Sequence, residues 1–261
     1  MSQATQETSA RPFAGRTAIV TGSGQNIGRD IVLAFAAGGA NVVVNGSRNR
    51  ERVDRVVAEA RELGAQALGV MADVGDPQAM QDMVDQSIAA FGSADIVVSN
   101  VSVRHHRPLL EITPEQWDQT LRTNLGSCFY LARAAIPHMQ KRGWGRIVHI
   151  SGRDGFFVKE HRAHNVSAKA GMHALAKAIA LEFGPYGITA NTVAPGLMDT
   201  VRNMSDYPDF DYMMTQRLPA IPARRIGTGG DIASACLYLC SDGAGFVTGQ
   251  LLQVNGGEFM Y

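Results

Sequence analysis

Lys169 lies in HNVSAKAGMHALAKAIALEFG, residues 164–184, a stretch in which charge is scarce, and Asn165 stands four positions before it. On a helix that spacing puts both side chains on one face, so they could act on a single substrate oxygen. A lysine so placed can hold a hydroxyl group or stabilise an anion; the plain alternative is a cation snorkelling from an apolar helix. Asn165 donates and accepts hydrogen bonds but exchanges no proton near neutral pH, so it can orient a carbonyl and cannot be the acid. Groups that titrate or carry charge lie close by in sequence: His161 and His164 on the same segment, Arg153 and Asp154 before it, and Arg104, His105, His106 and Arg107 in the loop VRHHRP. Histidine changes charge in the range such chemistry needs. The cluster RHHR together with Arg153 points to an anionic substrate, a carboxylate or a phosphate.

A second constellation is TGSGQNIG, Thr21 to Gly28, which follows the apolar run RTAIV and opens the helical pattern IGRDIVLAFAAGGA. A glycine turn between strand and helix sets backbone N–H groups and a positive helix end against a phosphate. It also serves plain close packing. The next strand, NVVVNG, ends in Asn45, Gly46, Ser47 and Arg48. An acidic side chain at that place would accept from a free ribose 2′-hydroxyl and repel a 2′-phosphate. The acid is missing and a cation is near, which favours NADP(H) over NAD(H) for a dinucleotide bound there, while Asn45 could tolerate either ribose.

These residues must be positioned by the rest of the chain. Strands and helices alternate: ERVDRVVAEARELG, QALGVMADV, PQAMQDMVDQSIAAFG and DIVVSN are followed by a long helical stretch from Thr113 to Arg142, then GRIVHIS, the helix of Lys169 and ITANTVAP. That alternation predicts an α/β fold, a doubly wound parallel sheet with helices on both faces. The segment from 197 to 225 has no clean period and is too long for an ordinary connection, so it reads as a substrate lid. DIASACLYLCSD and GQLLQVNGG close the chain as helix and strand. Residues 1–14 are small and polar and read as a loose tail, without the apolar core of a signal peptide. With 261 residues, 45% of them hydrophobic, the rest reads as one domain over 15–261.

Twenty-four basic residues balance twenty-four acidic ones without a basic block, which argues against nucleic acid or an anionic membrane as partner and for a small-molecule substrate. Cys128, Cys236 and Cys240 lack a metal-ligand spacing and read as core packing in a reducing cytoplasm, with no metal site.

From Arg16 to about Gly257 the chain resembles the short-chain dehydrogenase/reductase family. TGSGQNIG is similar to the family's T-G-x-x-x-G-x-G loop, with Gly22 and Gly28 in place, Asn26 for the middle glycine, and Gln25 and Ile27 between. The resemblance implies a single-domain Rossmann-type fold and adenine contacts from Asp73 and Val74, with Asn100 retained from N-N-A-G. It implies a catalytic asparagine at Asn124, nicotinamide contacts from Pro195, Gly196 and Thr200, and a ribose contact from Lys169. It also implies a homotetramer or homodimer packed through the last strand.

The family's tyrosine and serine would fall at Asn165 and, thirteen positions earlier, at Gly152. Ser151 is one position early; neighbouring side chains on a strand point to opposite faces, so it is a catalytic candidate only if the chain has already left the strand there. The resemblance thus implies the binding half of a dehydrogenase without its usual proton donor. Three functions stay open. One is an oxidoreductase in which His164, another histidine, Asp154 or a water on Lys169 replaces the phenol, acting on a carbonyl, an alcohol or a conjugated enoyl group. The second is a non-redox lyase or hydratase in the same pocket, and the third a catalytically silent dinucleotide-binding protein.

Overall fold

The computed structural model describes residues 11–201 and 210–260, with side chains from 214 onward in the latter. Seven parallel strands form one sheet in the order β3-β2-β1-β4-β5-β6-β7. They are β1 (Thr17–Val20), β2 (Asn41–Gly46), β3 (Ala67–Met71), β4 (Ile96–Ser99), β5 (Gly145–Ile150), β6 (Ile188–Pro195) and β7 (Leu251–Val254). The helices are α1 (Asn26–Ala37), α2 (Arg50–Glu62), α3 (Pro77–Phe91), α4 (Pro114–Leu121), α5 (Ser127–Arg142), α6 (Ala163–Phe183), α7 (Phe210–Arg217) and α8 (Gly229–Cys240).

Central strands β1, β4 and β5 are buried along their whole length, as the continuous apolar runs of a parallel sheet covered on both sides require. Their side chains part with the period of the pleat. Ala18, Val20, Val42, Val44, Ile96 and Val98 join the core beneath α1, α2 and α8, while Ile19, Val43 and Val97 join Met80 and Met83 of α3, Leu131 and Met139 of α5 and Ile179 of α6. Strand order reverses between β1 and β4. In such sheets the ligand cleft opens there, outside the carboxyl ends of the strands.

Two elements depart from the sequence reading. The helical stretch from Thr113 to Arg142 is interrupted by a π-helical turn over Arg122–Gly126, and the buried Asn124 sits in it. Such bulges are frequent at functional sites because they re-aim a side chain. Phe13, placed in the tail by its neighbours' polarity, is 2% exposed; its ring meets Phe35 edge-on at 5.1 Å, and its N–H donates to the Gly38 carbonyl. The body of the fold therefore begins before residue 15. Of the expected lid, residues 202–209 lie outside the described residues; the flanks hold α7, a 3-10 turn over Leu218–Ala220 and a bridge from Met198 to Gly227. Among the described residues no helix is long and apolar enough to cross a membrane.

Candidate active site

The loop from β1 to α1 runs through two left-handed residues, Gly22 at φ 61° and Asn26 at φ 52°. Asparagine is the non-glycine residue best suited to that conformation. Its side chain does more than tolerate it. Asn26 Nδ2 donates to the Val201 carbonyl at 3.1 Å and Oδ1 accepts from the Val201 N–H at 3.0 Å, tying the loop to the segment that follows β6. A Cβ on Gly28 would lie 2.4 Å from the Gly22 carbonyl oxygen, so only glycine lets helix and turn close. Gln25 does not cap α1 and no acidic residue lies in its first turn, which leaves a positive helix end open to an anion. Ile27 and Asn100 line the cleft beside it, and Asn100 Nδ2 holds the Thr21 and Gly22 carbonyls at 3.1 and 3.3 Å.

At the end of β2 the expectation for Asn45 changes. Its side chain is buried, with Oδ1 accepting from Gly22 N–H at 3.1 Å and Nδ2 facing the Val70 and Ala72 carbonyls, so it braces the loop and does not face a ribose. Ser47 and Arg48 are exposed there. Arg52, one turn along in α2, joins them with its guanidinium on Gln25 Oε1. Asp73 is exposed with Oδ1 on the Gly75 N–H at 2.9 Å, and Val74 is buried. Pro195, Gly196 and Thr200 line the cleft.

The floor of the cleft is α6. Lys169 is 2% exposed and donates to the Ile150 carbonyl at 3.1 Å. Burial, and after it the nearby Arg104, pull its pKa down to about 7, against the pull of Cys128 and Asp154. One turn earlier, Asn165 is held at both ends: Oδ1 accepts from Asn124 Nδ2 at 3.1 Å and Nδ2 donates to Asp154 Oδ2 at 2.8 Å. Asn124 is itself fixed by the backbone of Val103, accepting from its N–H at 2.8 Å and donating to its carbonyl at 2.9 Å. The same Asp154 oxygen receives Arg162 at 2.8 Å.

Gly152 has φ 152°, a conformation that side-chain-bearing residues rarely adopt, and the strand ends before it. Because the chain has left the strand, Ser151 lines the cleft and does not face away; its Oγ lies 2.7 Å from His173 Nε2.

Arg104, Arg153 and Asp154 line the cleft, as do Lys159, Arg162 and, from α7, Arg217. Arg217 grips Glu258 through two bonds of 2.7 and 2.8 Å, and Arg153 shares that carboxylate at 3.4 Å while lying over Phe259. Burial first, then the neighbouring arginines, lower the pKa of Lys159. Cations thus outnumber the two carboxylates Asp154 and Glu258. The sequence reading missed Lys159, Arg162, Arg217 and Glu258. Only Arg162 carried a local signal, through its place among the histidines.

The histidines singled out in the sequence do not line the cleft. His164 is fully buried, its ring nitrogens have no hydrogen-bond partner among the described residues, and it stacks on the exposed His105 at 6.3 Å. Adjacent helical residues point about 100° apart, so the turn that aims Asn165 at the cleft aims His164 elsewhere. His161 is exposed, and His106 contacts the cleft residue Arg162.

Comparison with known proteins agrees with this geometry. Residues 22–258 match the family model described as enoyl-(acyl carrier protein) reductase. The chain is 36% identical over 253 residues to the 3-oxoacyl-(acyl-carrier-protein) reductase of Escherichia coli, covering 95% of this chain and 99% of that one. It is 35% identical over 245 residues to the enzyme of that name from Staphylococcus aureus, covering 94% and 98%. A crystal structure from Sinorhizobium meliloti assigned as a short-chain alcohol dehydrogenase superimposes with a TM-score of 0.89 at 30% identity, over 94% of this chain and 97% of the other. One from Agrobacterium tumefaciens assigned as a gluconate dehydrogenase gives 0.87 at 32%, over 94% and 96%. A doubly wound parallel sheet, a glycine-turn loop at its switch point and relatives matched over nearly their whole length make this chain a member of the short-chain dehydrogenase/reductase family of oxidoreductases.

Proposed function

We propose that the chain is a nicotinamide-dinucleotide oxidoreductase, favouring NADP(H) over NAD(H), that acts on a carbonyl, alcohol or conjugated enoyl substrate bearing an anionic group and uses a proton donor other than the helix tyrosine of its family. What carries this reading is the placement of buried Lys169 and Asn165 at the floor of a cleft that runs from the glycine turn to Arg104, Lys159 and Arg217.

The loop fits a dinucleotide, because the space a Cβ would fill at Gly28 is taken by backbone and the helix end carries no acid. A nicotinamide bound beyond it would supply or accept the hydride at a substrate carbon. Lys169, with one N–H on the Ile150 carbonyl, keeps two donors for a ribose hydroxyl. Asn165 keeps one amide hydrogen after serving Asp154, and with it can hold a substrate oxygen without protonating it. Arg48 and Arg52, with no carboxylate at the end of β2, favour a 2′-phosphate. A carboxylate or phosphate on the substrate would meet Arg104 and Lys159, since Arg153, Arg162 and Arg217 already hold carboxylates.

The wider expectations belong to the same reading. An edge strand β7 half-buried along its length, with Leu181 and Phe246 exposed, supports a homotetramer or homodimer. Three free buried cysteines suit a reducing cytoplasm.

The test is binding of NADPH and NADH by fluorescence, followed by turnover with acetoacetyl-coenzyme A, crotonyl-coenzyme A and gluconate as probes. NADPH is expected to bind more tightly, and one probe to change its redox state. Absence of binding by either dinucleotide overturns the redox reading.

A further inference from the structure

Asn165, Lys169 and His173 follow one another at four-residue steps on α6, and the third of them faces Ser151 across the mouth of β5. Ser151 is 4% exposed, lines the cleft, and sits 2.7 Å from His173 Nε2. The ring reaches that distance because residue 155 has no side chain: a Cβ there would lie 2.5 Å from His173 Cε1 and 3.0 Å from Nε2. Phe156 flanks the ring at 6.1 Å between centroids. His173 is half-buried, and its Nδ1 makes no hydrogen bond to protein among the described residues. The cleft is therefore joined through one hydroxyl to a half-buried imidazole behind it.

We propose that Ser151 and His173 form the proton route that serves the cleft in place of a phenol, with Ser151 as the group that touches the substrate oxygen and His173 as the relay behind it. The inference rests on the redox reading above. In the direction of reduction, a bound reduced nicotinamide would supply the hydride and its electron pair to the carbonyl carbon, and the oxyanion left on the substrate would need one proton. The Ser151 O–H bond breaks and an O–H bond forms on the substrate. Ser151 Oγ takes the Nε2 proton of His173, and His173 Nδ1 takes one from water, so the ring changes tautomer and stays neutral overall. The sum is one hydride and one solvent proton added to one carbonyl. Oxidation runs the same route backwards.

The variants Ser151→Ala and His173→Gln test it. Glutamine keeps a hydrogen bond to Ser151 but has no second ring nitrogen through which a proton can pass. With NADPH and acetoacetyl-coenzyme A, each variant is expected to lower kcat at least about tenfold at unchanged KM for NADPH, and the double variant is expected to be no worse than either. Ser151→Thr is expected to recover most of the loss. A kcat equal to that of the unaltered protein in either single variant overturns the relay. A readout free of cofactor is the nitrogen NMR signal of His173 in the unliganded protein, which is expected to move on Ser151→Ala; an unmoved signal also overturns the relay. Failure of the unaltered protein to consume NADPH with any probe overturns the redox reading instead, and so the two failures are told apart.

Discussion

The glycine-turn loop and the floor of α6 each hold one residue other than the family resemblance implies, and the two residues have opposite consequences. At position 26 an asparagine takes the place of a glycine, keeps the left-handed backbone at φ 52°, and adds two bonds to Val201. A loop of this kind holds a phosphate through backbone N–H groups, so a side chain that respects its dihedral angles would leave such binding intact. At position 165 an amide takes the place that the family resemblance gives to a phenol. Asn124 and Asp154 fix its orientation and leave one amide hydrogen for a ligand, yet no rearrangement of an amide provides a proton at neutral pH. Function built on backbone shape survives substitution by geometry alone, whereas function built on proton affinity has to move to another group.

Lys169→Met would break the comparison most sharply. It removes the cation on the α6 side and leaves the loop untouched, so turnover is expected to fall by at least about a hundredfold while dinucleotide still binds measurably. The same variant should be more stable. Folding lowers the pKa of Lys169 from 10.5 to about 7, so between those values the unfolded chain holds a proton that the folded chain does not. Stability gained from this group therefore rises with pH through that window, and the burial penalty is full below it. Replacing Lys169 should raise Tm by on the order of 5 °C near about pH 6 and progressively less toward about pH 10. Calorimetry across that range checks the sign; a variant less stable at the acid end contradicts it.

Gly28→Ala strikes the other half. Its Cβ would be placed 2.4 Å from a backbone oxygen and 2.6 Å from Asn100 Nδ2, and neither can yield without moving the turn. Affinity for NADPH is expected to drop by at least about tenfold, with a stability loss of about 1–3 kcal/mol, read by fluorescence titration and denaturant unfolding.

How much of each half is legible from the sequence follows from how its parts are spaced. The strands were readable because a parallel sheet buries both faces of runs such as VVV and IVV. The loop and the pair Asn165 and Lys169 were readable because their members are neighbours in the chain. Arg153 and Glu258, 105 positions apart, meet only in the folded protein, and nothing local announces that Arg217 will share that carboxylate. The histidines misled for a related reason: a loop such as VRHHRP has no period from which to read where each side chain points. For Ser151 the sequence leaves open whether the chain has already left the strand; β5 ends at Ile150, Gly152 follows at φ 152°, and Ser151 lines the cleft.

A smaller effect sharpens the cofactor side. Replacing Arg48 and Arg52 together by alanine is expected to weaken NADPH by about tenfold and NADH little, since only the former presents a phosphate to two guanidinium groups. Equal losses for both dinucleotides would assign the pair to Gln25 and the loop instead.

The finest test returns to Asn26, where the loop's tolerance can be divided into its two causes. Asn26→Gly keeps the left-handed turn at no steric cost but loses both bonds to Val201, so only the tie to the segment after β6 is removed. The expected result is a change of at most a few-fold in KM for NADPH and a stability change within about 1 kcal/mol. Asn26→Val removes the tie and also forces a β-branched residue to φ 52°, which should cost a further 1–2 kcal/mol or so and lower affinity in proportion. If the two variants behave alike, the side-chain tie and not the backbone angle sets the loop. The contrast drawn between backbone-based and proton-based function would then hold only for the glycines of the turn.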